Sequence, residues 1–244
     1  MLQIYFIRHG QSENNVIMDE LERHHYLFHR IEDPKLTEIG LKQAELVADF
    51  LAAGEPSEGP DEQNRSGFGL THLYCSLMSR AVQTAVPIAR KTGLPLKAWP
   101  EVHETGGVFL AEKEDDKIIW NGLPGNGRSY YETNFPELIL PEDLSDEGWW
   151  NREKEPREHY NLRAQSIVDR LIDEHGGTNH RVGIVMHGGI FTRILTVLFD
   201  IQGKRYWFLM NNCGISRVDI RDNGRLTLSY MNKTDYLPDD LITS

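Results

Sequence analysis

Short apolar runs alternate with longer amphipathic segments along most of this 244-residue chain. Runs rich in β-branched and aromatic residues predict buried strands, and these lie at residues 4–7, 70–75, 96–99 and 181–186. Apolar residues at helical spacing predict helices, at residues 36–53, 80–92 and 157–175 and again after residue 189. Strands that alternate with helices predict a three-layer α/β/α sandwich, with a mostly parallel sheet covered by helices on both faces.

Two parts of the chain depart from this alternation. The segments 215–220 and 226–230, joined by Asp222-Asn223-Gly224, predict a terminal hairpin. The stretch at about 108–160 is the least regular and has a glycine-rich centre at 122–127. We interpret it as an insertion over the carboxyl edge of the sheet, within a single domain spanning residues 1–244, because α/β folds of this length commonly form one core.

Residues that can bind an anion or act as a nucleophile follow three of the predicted strands. Arg8-His9-Gly10 follows the first strand, Arg80 follows the second after a short turn, and His187-Gly188-Gly189 follows the strand at 181–186. The carboxyl ends of strands are where open α/β sheets bind ligands. Arginine offers a planar fork of donors for a phosphate or carboxylate, and histidine can act as a nucleophile. The pattern therefore predicts one anion-binding site with a nucleophile in it.

The amino-acid composition argues against nucleic acid and anionic membranes as binding partners. The net charge is −11, from 26 Lys+Arg against 37 Asp+Glu, and a protein of this sign repels nucleic acid and anionic lipid. No apolar run is long enough to span a membrane and the chain enters its first strand without a secretion signal, so we expect a cytoplasmic protein. Cys75 and Cys213 are expected to be buried free thiols.

With these residues in view, the sequence resembles the histidine phosphatase superfamily, also called the phosphoglycerate mutase-like family. Four blocks carry the resemblance in the family's order: Arg8-His9-Gly10, the helix start Leu36-Thr37-Glu38-Ile39-Gly40, Ser76 to Ala85, and His187-Gly188-Gly189. The resemblance implies that fold and the hydrolysis of a small phosphorylated metabolite through a phosphohistidine, with no cofactor and no metal at the site.

The resemblance also implies a role for each site residue. His9 is the expected nucleophile and Glu104 the expected general acid, with Glu101 and Glu112 as less well placed candidates. Two arginines beside His9 disfavour its protonated form and keep a ring lone pair free. The phosphate-binding set is expected to comprise Arg8, Gln11, Ser12, Asn15, Arg80, His187 and Gly188.

Two alternatives stay open. One is a cofactor-dependent mutase, but such enzymes have a basic, aromatic stretch where this chain has Thr105-Gly106-Gly107-Val108, and a glycine-tryptophan motif where this chain is rich in histidine. Both departures favour a phosphatase. The other is a non-catalytic phosphoryl-binding module, which the full set of site residues argues against. The oligomeric state is open, with a homodimer as one candidate.

Other conspicuous residues have simpler interpretations. His24, His25 and His29 lack the carboxylate or cysteine that would complete a metal site, and they are candidates for the substrate mouth. We interpret Trp149, Trp150 and Trp120 as packing residues, in preference to an aromatic lid over the pocket. Lys113, Lys117 and Arg128 are expected to be solvated, although each is able to meet a second anionic group on a substrate.

Overall fold

A computed structural model of the chain describes residues 1–21, 23–57, 61–115, 117–203 and 206–244, without the side chains of Arg23 and His24. Within these ranges, seven strands form one sheet in the order β6-β3-β2-β7-β1-β8-β9. They are β1 (Leu2–Arg8), β2 (His72–Cys75), β3 (Leu96–Ala98), β6 (Leu138–Ile139), β7 (Arg181–Met186), β8 (Ile215–Ile220) and β9 (Leu226–Lys233). The five strands from β6 to β1 run parallel, and β8 and β9 add an antiparallel edge. The predicted sheet and terminal hairpin are confirmed.

Helices cover both faces of this sheet. They are α1 (Glu13–Glu20), α2 (Arg23–His29), α3 (Glu38–Ala52), α4 (Ser79–Thr92), α5 (Arg128–Asn134), α6 (His159–His175) and α7 (Gly188–Leu198). Helices α3 and α4 pack with Tyr5 and Ile7 in one apolar cluster, whereas α6 and α7 pack with Ile4 and Phe6 in another. Neighbouring side chains of β1 point to opposite faces, so one strand contributes to two cores. This is the predicted three-layer arrangement.

The predicted helix ends follow from local chemistry. The hydroxyl of Thr37 accepts a hydrogen bond from the Gly40 N–H at 3.1 Å and so caps the start of α3. Gly93 has a φ of 70° and ends α4 in the left-handed conformation that glycine adopts without strain.

The segment at about 108–160 is more regular than its composition indicates, and this corrects the expectation of an irregular insertion. Strands β4 (Phe109–Glu114) and β5 (Lys117–Gly122) form a separate antiparallel hairpin, and helix α5 follows them. Strand β6 then pairs with β3 at the edge of the main sheet. Two-residue pairing at an edge depends on contacts distant in sequence, which explains why no local pattern announces it.

The strand order brings the chemically interesting residues to one edge. Strand β7 lies between β1 and β2, with Arg8 beside Met186 and Cys75 beside Val185. Because these strands are parallel, the residues after each of them leave the sheet at the same edge. Strand β3 ends at that edge too, and a short 3-10 helix at Pro100–Val102 leads from it to His103 and Glu104.

Two further expectations are tested by the fold. Cys75 and Cys213 are buried free thiols, and burial raises the pKa of both. Among the described residues, no helix combines the length and apolar character needed to cross a bilayer.

Candidate active site

His9 directly follows β1 and is 4% exposed. Its Nδ1 lies 2.7 Å from the Gly10 carbonyl oxygen, so Nδ1–H is the donor. The opposite nitrogen, Nε2, accepts a hydrogen bond from Arg80 Nε at 3.0 Å. Burial, followed by the charges of Arg80 and Arg8, holds the pKa of His9 well below its usual value. The ring is therefore neutral, and its one lone pair, on Nε2, accepts the hydrogen bond from Arg80.

His187 faces His9 across the pocket, with ring centroids 5.0 Å apart. It is fully buried, and neither of its ring nitrogens has a hydrogen-bond partner among the described residues. Burial and the charge of Arg80 lower its pKa well below the usual value, so this ring is neutral as well. A buried unpaired imidazole is costly unless a ligand completes its bonding. His187 is thus available as a hydrogen-bond donor to a bound anion.

Arg8 and Arg80 supply the positive charge of the pocket. Arg8 donates from Nη1 to the Met210 carbonyl, while its buried Nε has no partner. Burial lowers the pKa of Arg8 to about 10, with Arg80 lowering it further and Glu104 opposing the change. Burial also lowers the pKa of Arg80. Both remain cationic at neutral pH, so the site is prepared for an anion.

Glu104 lies at the amino end of α7, immediately beyond His187. One carboxylate oxygen accepts from the Gly189 N–H at 3.0 Å. The other accepts from the N–H groups of Ile190 at 3.1 Å and Thr105 at 2.6 Å. A helix amino end favours a negative group, and the three N–H donors hold this carboxylate beside the two arginines. The alternative acids Glu101 and Glu112 are both exposed.

Two glycines are required by close approach in this region. A Cβ at Gly189 would lie 2.2 Å from Glu104 Oε1, and a Cβ at Gly10 would lie 2.6 Å from the Gly40 carbonyl oxygen. Gly188 differs, because a Cβ there would meet nothing closer than the Trp207 ring at 3.4 Å. Gly189 therefore creates the space that Glu104 occupies, while Gly188 begins α7 next to His187.

The loop after His9 contains three predicted phosphate-binding residues that behave differently. Gln11 accepts from the Thr37 hydroxyl at 2.8 Å, which ties it to the start of α3. Ser12 donates from its hydroxyl to Asn15 Oδ1 at 2.8 Å. These bonds hold Gln11 and Ser12 within the protein, where they shape the loop. Asn15 uses its oxygen in them and keeps its amide nitrogen for another acceptor.

The other residues singled out in the sequence have the following surroundings. Trp150 is buried with Met78 and Val108, as packing predicts. Lys113 and Lys117 are exposed, whereas Arg128 binds the carbonyls of Leu144 and Pro141 and is structural. His25 and His29 are exposed, and the side chain of His24 lies outside the described residues.

Sequence reasoning missed three residues close to the site. His103 is fully buried beside Glu104, and its Nε2 has no partner among the described atoms. Arg30 and Lys154 place their charges over the ring of Phe109, at 3.8 and 5.4 Å from its centroid. The Arg30 signal was an arginine inside the histidine-rich segment, but only the folded chain brings it to the rim of the pocket.

Comparison with known proteins agrees with this geometry. The family model for the histidine phosphatase superfamily (branch 1) matches residues 4–119 and 120–234. The chain belongs to this superfamily. A similar curated relative is the "Probable phosphoglycerate mutase GpmB" of Yersinia pestis (strain Pestoides F), which is 26% identical over 232 residues, 91% of this chain and 87% of that protein.

Solved structures share the fold across nearly the whole chain. One is a phosphoserine phosphatase mutant from Entamoeba histolytica in complex with phosphoserine, with a TM-score of 0.57, 19% identity, and coverage of 98% of this chain and 100% of that one. Another is a mycobacterial glucosyl-3-phosphoglycerate phosphatase complexed with VO3, with a TM-score of 0.53, 18% identity, and coverage of 95% and 99%.

Proposed function

We propose that this histidine phosphatase hydrolyses phosphomonoesters of small metabolites through a phosphohistidine formed on His9. The observation that carries the proposal is the neutral His9 ring, whose Nε2 lone pair accepts from Arg80 beside unpaired donors of Arg8 and His187. When a phosphoryl oxygen takes the Arg80 N–H, that lone pair is released for attack on phosphorus. A phosphate monoester repels nucleophiles and has a poor leaving group, so its cleavage needs positive charge, an in-line nucleophile and a proton. The pocket contains candidates for all three.

The first step transfers the phosphoryl group to His9. Arg8, Arg80, His187 and the amide of Asn15 bind the non-bridging oxygens and stabilise their charge as the transition state forms. A bond forms between His9 Nε2 and phosphorus while the bond from phosphorus to the leaving oxygen breaks. Glu104, in its protonated form, gives its proton to that oxygen, and the alcohol leaves.

The second step returns His9 to its starting form. Glu104, now a carboxylate, takes a proton from water, whose oxygen attacks phosphorus as the phosphorus–nitrogen bond breaks. The products are inorganic phosphate and free His9. The arginines hold the phosphoryl group in both steps, so the same set of cations serves each transition state.

A mutase would differ only in the second acceptor, which is a substrate hydroxyl in place of water. The curated relatives carry the mutase name, but Thr105 and Gly106, where such enzymes have a basic, aromatic stretch, provide no cation. Phosphorus NMR of the protein with 3-phosphoglycerate and a trace of the bisphosphorylated acid separates the two reactions. A phosphatase releases inorganic phosphate, whereas a mutase yields the 2-phospho isomer.

Phosphatase activity is expected to survive removal of divalent metals. The reason is that the positive charge for catalysis comes from Arg8 and Arg80, with His187 as a neutral hydrogen-bond donor, and a chelator removes none of these groups. Hydrolysis of p-nitrophenyl phosphate is measured after dialysis against EDTA, with a metal-dependent phosphatase treated in parallel as the control. Loss of activity on chelation, followed by recovery with a divalent ion, contradicts the proposed mechanism.

A further inference from the structure

The segment around Arg30 is bonded to residues next to Asn15 and next to Arg80. The next residue, Ile31, is held by the side chain of Asn14 through bonds of 2.7 and 2.8 Å, so it adjoins Asn15. Asp33, three residues after Arg30, accepts from the Ser79 hydroxyl at 2.7 Å, next to Arg80. The guanidinium itself lies 3.8 Å from the centre of the Phe109 ring. The backbone around Arg30 is thereby fixed to both phosphate-binding elements.

Lys154 approaches the same ring from the neighbouring segment. Its Nζ lies 4.4 Å from the centre of the Trp120 ring and 5.4 Å from that of Phe109. The following residue, Glu155, donates its N–H to the Gly106 carbonyl at 3.0 Å, two residues after Glu104. The backbone next to Lys154 is therefore bonded close to Glu104, just as the backbone next to Arg30 is bonded close to Asn15.

Neither cation is neutralised. Among the described residues, no carboxylate lies within ion-pair distance of Arg30 or Lys154, and the buried Nε of Arg30 has no hydrogen-bond partner. Burial lowers the pKa of both groups. Arg80 lowers the pKa of Arg30 further, opposed by Tyr26 and Glu104, and the charges of Arg157 and Arg30 lower that of Lys154, opposed by Glu155. Contact with an aromatic ring returns less than the desolvation of an unpaired cation costs. Cations desolvated without an ion-pair partner are typical of a site that binds an anion.

We propose that Arg30 and Lys154 form a second anion subsite, which binds an anionic substituent of the substrate outside the phosphoryl group. The planar fork of Arg30 suits a carboxylate or a second phosphate, and Lys154 adds a point charge. This rests on the proposed function and narrows it: the substrate class is a small phosphomonoester that carries a further anionic group. In a chain with a net charge of −11, two neighbouring cations without ion-pair partners indicate a local anion-binding role.

The test compares matched substrates. In the wild type, kcat/KM for 3-phosphoglycerate is expected to exceed that for glycerol 3-phosphate, which lacks the carboxylate, by at least about tenfold. Propane-1,3-diol bisphosphate tests a second phosphate in place of the carboxylate. In Arg30→Met and Lys154→Met, which keep an apolar stem over the rings, the preference for the anionic substrates is expected to fall by about tenfold. Lys42→Met, at an exposed lysine of α3, is the matched control.

Binding separates this proposal from the proposed function. Calorimetry with His9→Ala, which cannot form the phosphohistidine, measures the affinities for 3-phosphoglycerate and glycerol 3-phosphate without turnover. A preference that Arg30→Met removes supports the subsite even if hydrolysis is absent. An equal affinity for both compounds and for the bisphosphate, or a preference that survives in both methionine variants, overturns it.

A cluster of three histidines lies at the opposite edge of the sheet and supports a second, independent inference. His72 begins β2, His175 ends α6 and His180 precedes β7, so the three lie at the amino ends of strands whose carboxyl ends form the active site. One ring nitrogen from each lies within 4.8 Å of the other two. The Nδ1 atoms of His175 and His180 are 2.9 Å apart and share one proton as a hydrogen bond.

The surroundings of these rings favour ligation. His175 is buried, with an exposed fraction of 3%. The Tyr74 hydroxyl lies 3.2 Å from His175 Nε2, and the Thr71 hydroxyl lies 2.9 Å from His72 Nδ1. Such contacts fix ring orientation in metal sites. Glu174 faces His175 at 3.8 Å and Lys97 acts on His72 as a distant positive charge.

The geometry points to a zinc-class divalent cation bound by His72, His175 and His180. Imidazole nitrogens at about 2.0–2.1 Å from a tetrahedral ion are roughly 3.3 Å apart, which small rotations of these rings reach. The proton that lies between His175 and His180 moves to Nε2 of the ring that carries it as the metal takes both Nδ1 atoms, so both rings stay neutral. The fourth position remains for water. Such an ion would join β2, α6 and β7 and would take no part in phosphoryl transfer.

Equilibrium dialysis of the intact protein with Zn²⁺ and visible spectra with Co²⁺ test this site. We expect one ion per chain, a tetrahedral cobalt spectrum and a rise in Tm on zinc binding. His72→Gln and His180→Gln are expected to lose all three effects, whereas His159→Gln, at an exposed position of α6, retains them. His9→Ala is expected to retain them as well, which separates this site from the catalytic histidines. Failure to bind zinc at micromolar concentration, or binding that persists in His72→Gln and His180→Gln, overturns the assignment.

Discussion

Replacing His9 with alanine is expected to reduce phosphomonoester turnover by at least about ten-thousand-fold, the scale expected when a catalytic nucleophile is removed. The physical reason is that Nε2 carries the one lone pair of the neutral ring, which accepts from Arg80 and is released for attack when Arg80 binds the phosphoryl group. In the wild type, rapid quench with labelled substrate is expected to trap a phosphoryl adduct that is labile in acid and stable in base. The His9→Ala protein is expected to yield none.

The control for this experiment is His159→Ala, because His159 is exposed at the start of α6. Circular dichroism of the His9→Ala protein establishes that it is folded. An adduct that persists in His9→Ala, with the same acid lability, would place the nucleophile on another residue. His187 would be the first to test, since it is the other neutral imidazole in the pocket.

Replacing Glu104 with glutamine is expected to have an effect that depends on the leaving group. For an alkyl phosphate, whose leaving oxygen needs a proton, we expect a loss of about a hundredfold or more in kcat. For an aryl phosphate, whose leaving oxygen barely needs one, the phosphorylation of His9 is expected to slow much less. Single-turnover phosphorylation is the measurement, because Glu104 also acts on water in the second step.

Glu101→Gln is the matched control, since this exposed carboxylate lies three residues earlier in the chain and outside the pocket. Glutamine at 104 also exchanges one acceptor oxygen for a donor next to the N–H groups at the start of α7. A purely positional role would therefore reduce phosphorylation equally for alkyl and aryl substrates. That result would exclude Glu104 as the proton donor.

The sequence by itself determined the architecture and the place of the site. Apolar runs at strand length and amphipathic segments at helix length are local signals, so the sheet, the main helices and their caps at Thr37 and Gly93 could be predicted. The grouping of Arg8, His9, Arg80 and His187 was predictable as well, because the carboxyl ends of neighbouring parallel strands meet at one edge. The roles of these residues remain predictions until variants are measured.

The tertiary structure alone decided how the pocket is bounded and what surrounds it. Strand β6, the contact of Arg30 with Phe109, and the docking of Glu104 on the amino end of α7 each join residues far apart in the chain. His72 and His175 likewise meet only in the folded protein. No periodicity or motif encodes such pairings, because their stability comes from packing and electrostatics between elements that are set only when the whole sheet has formed.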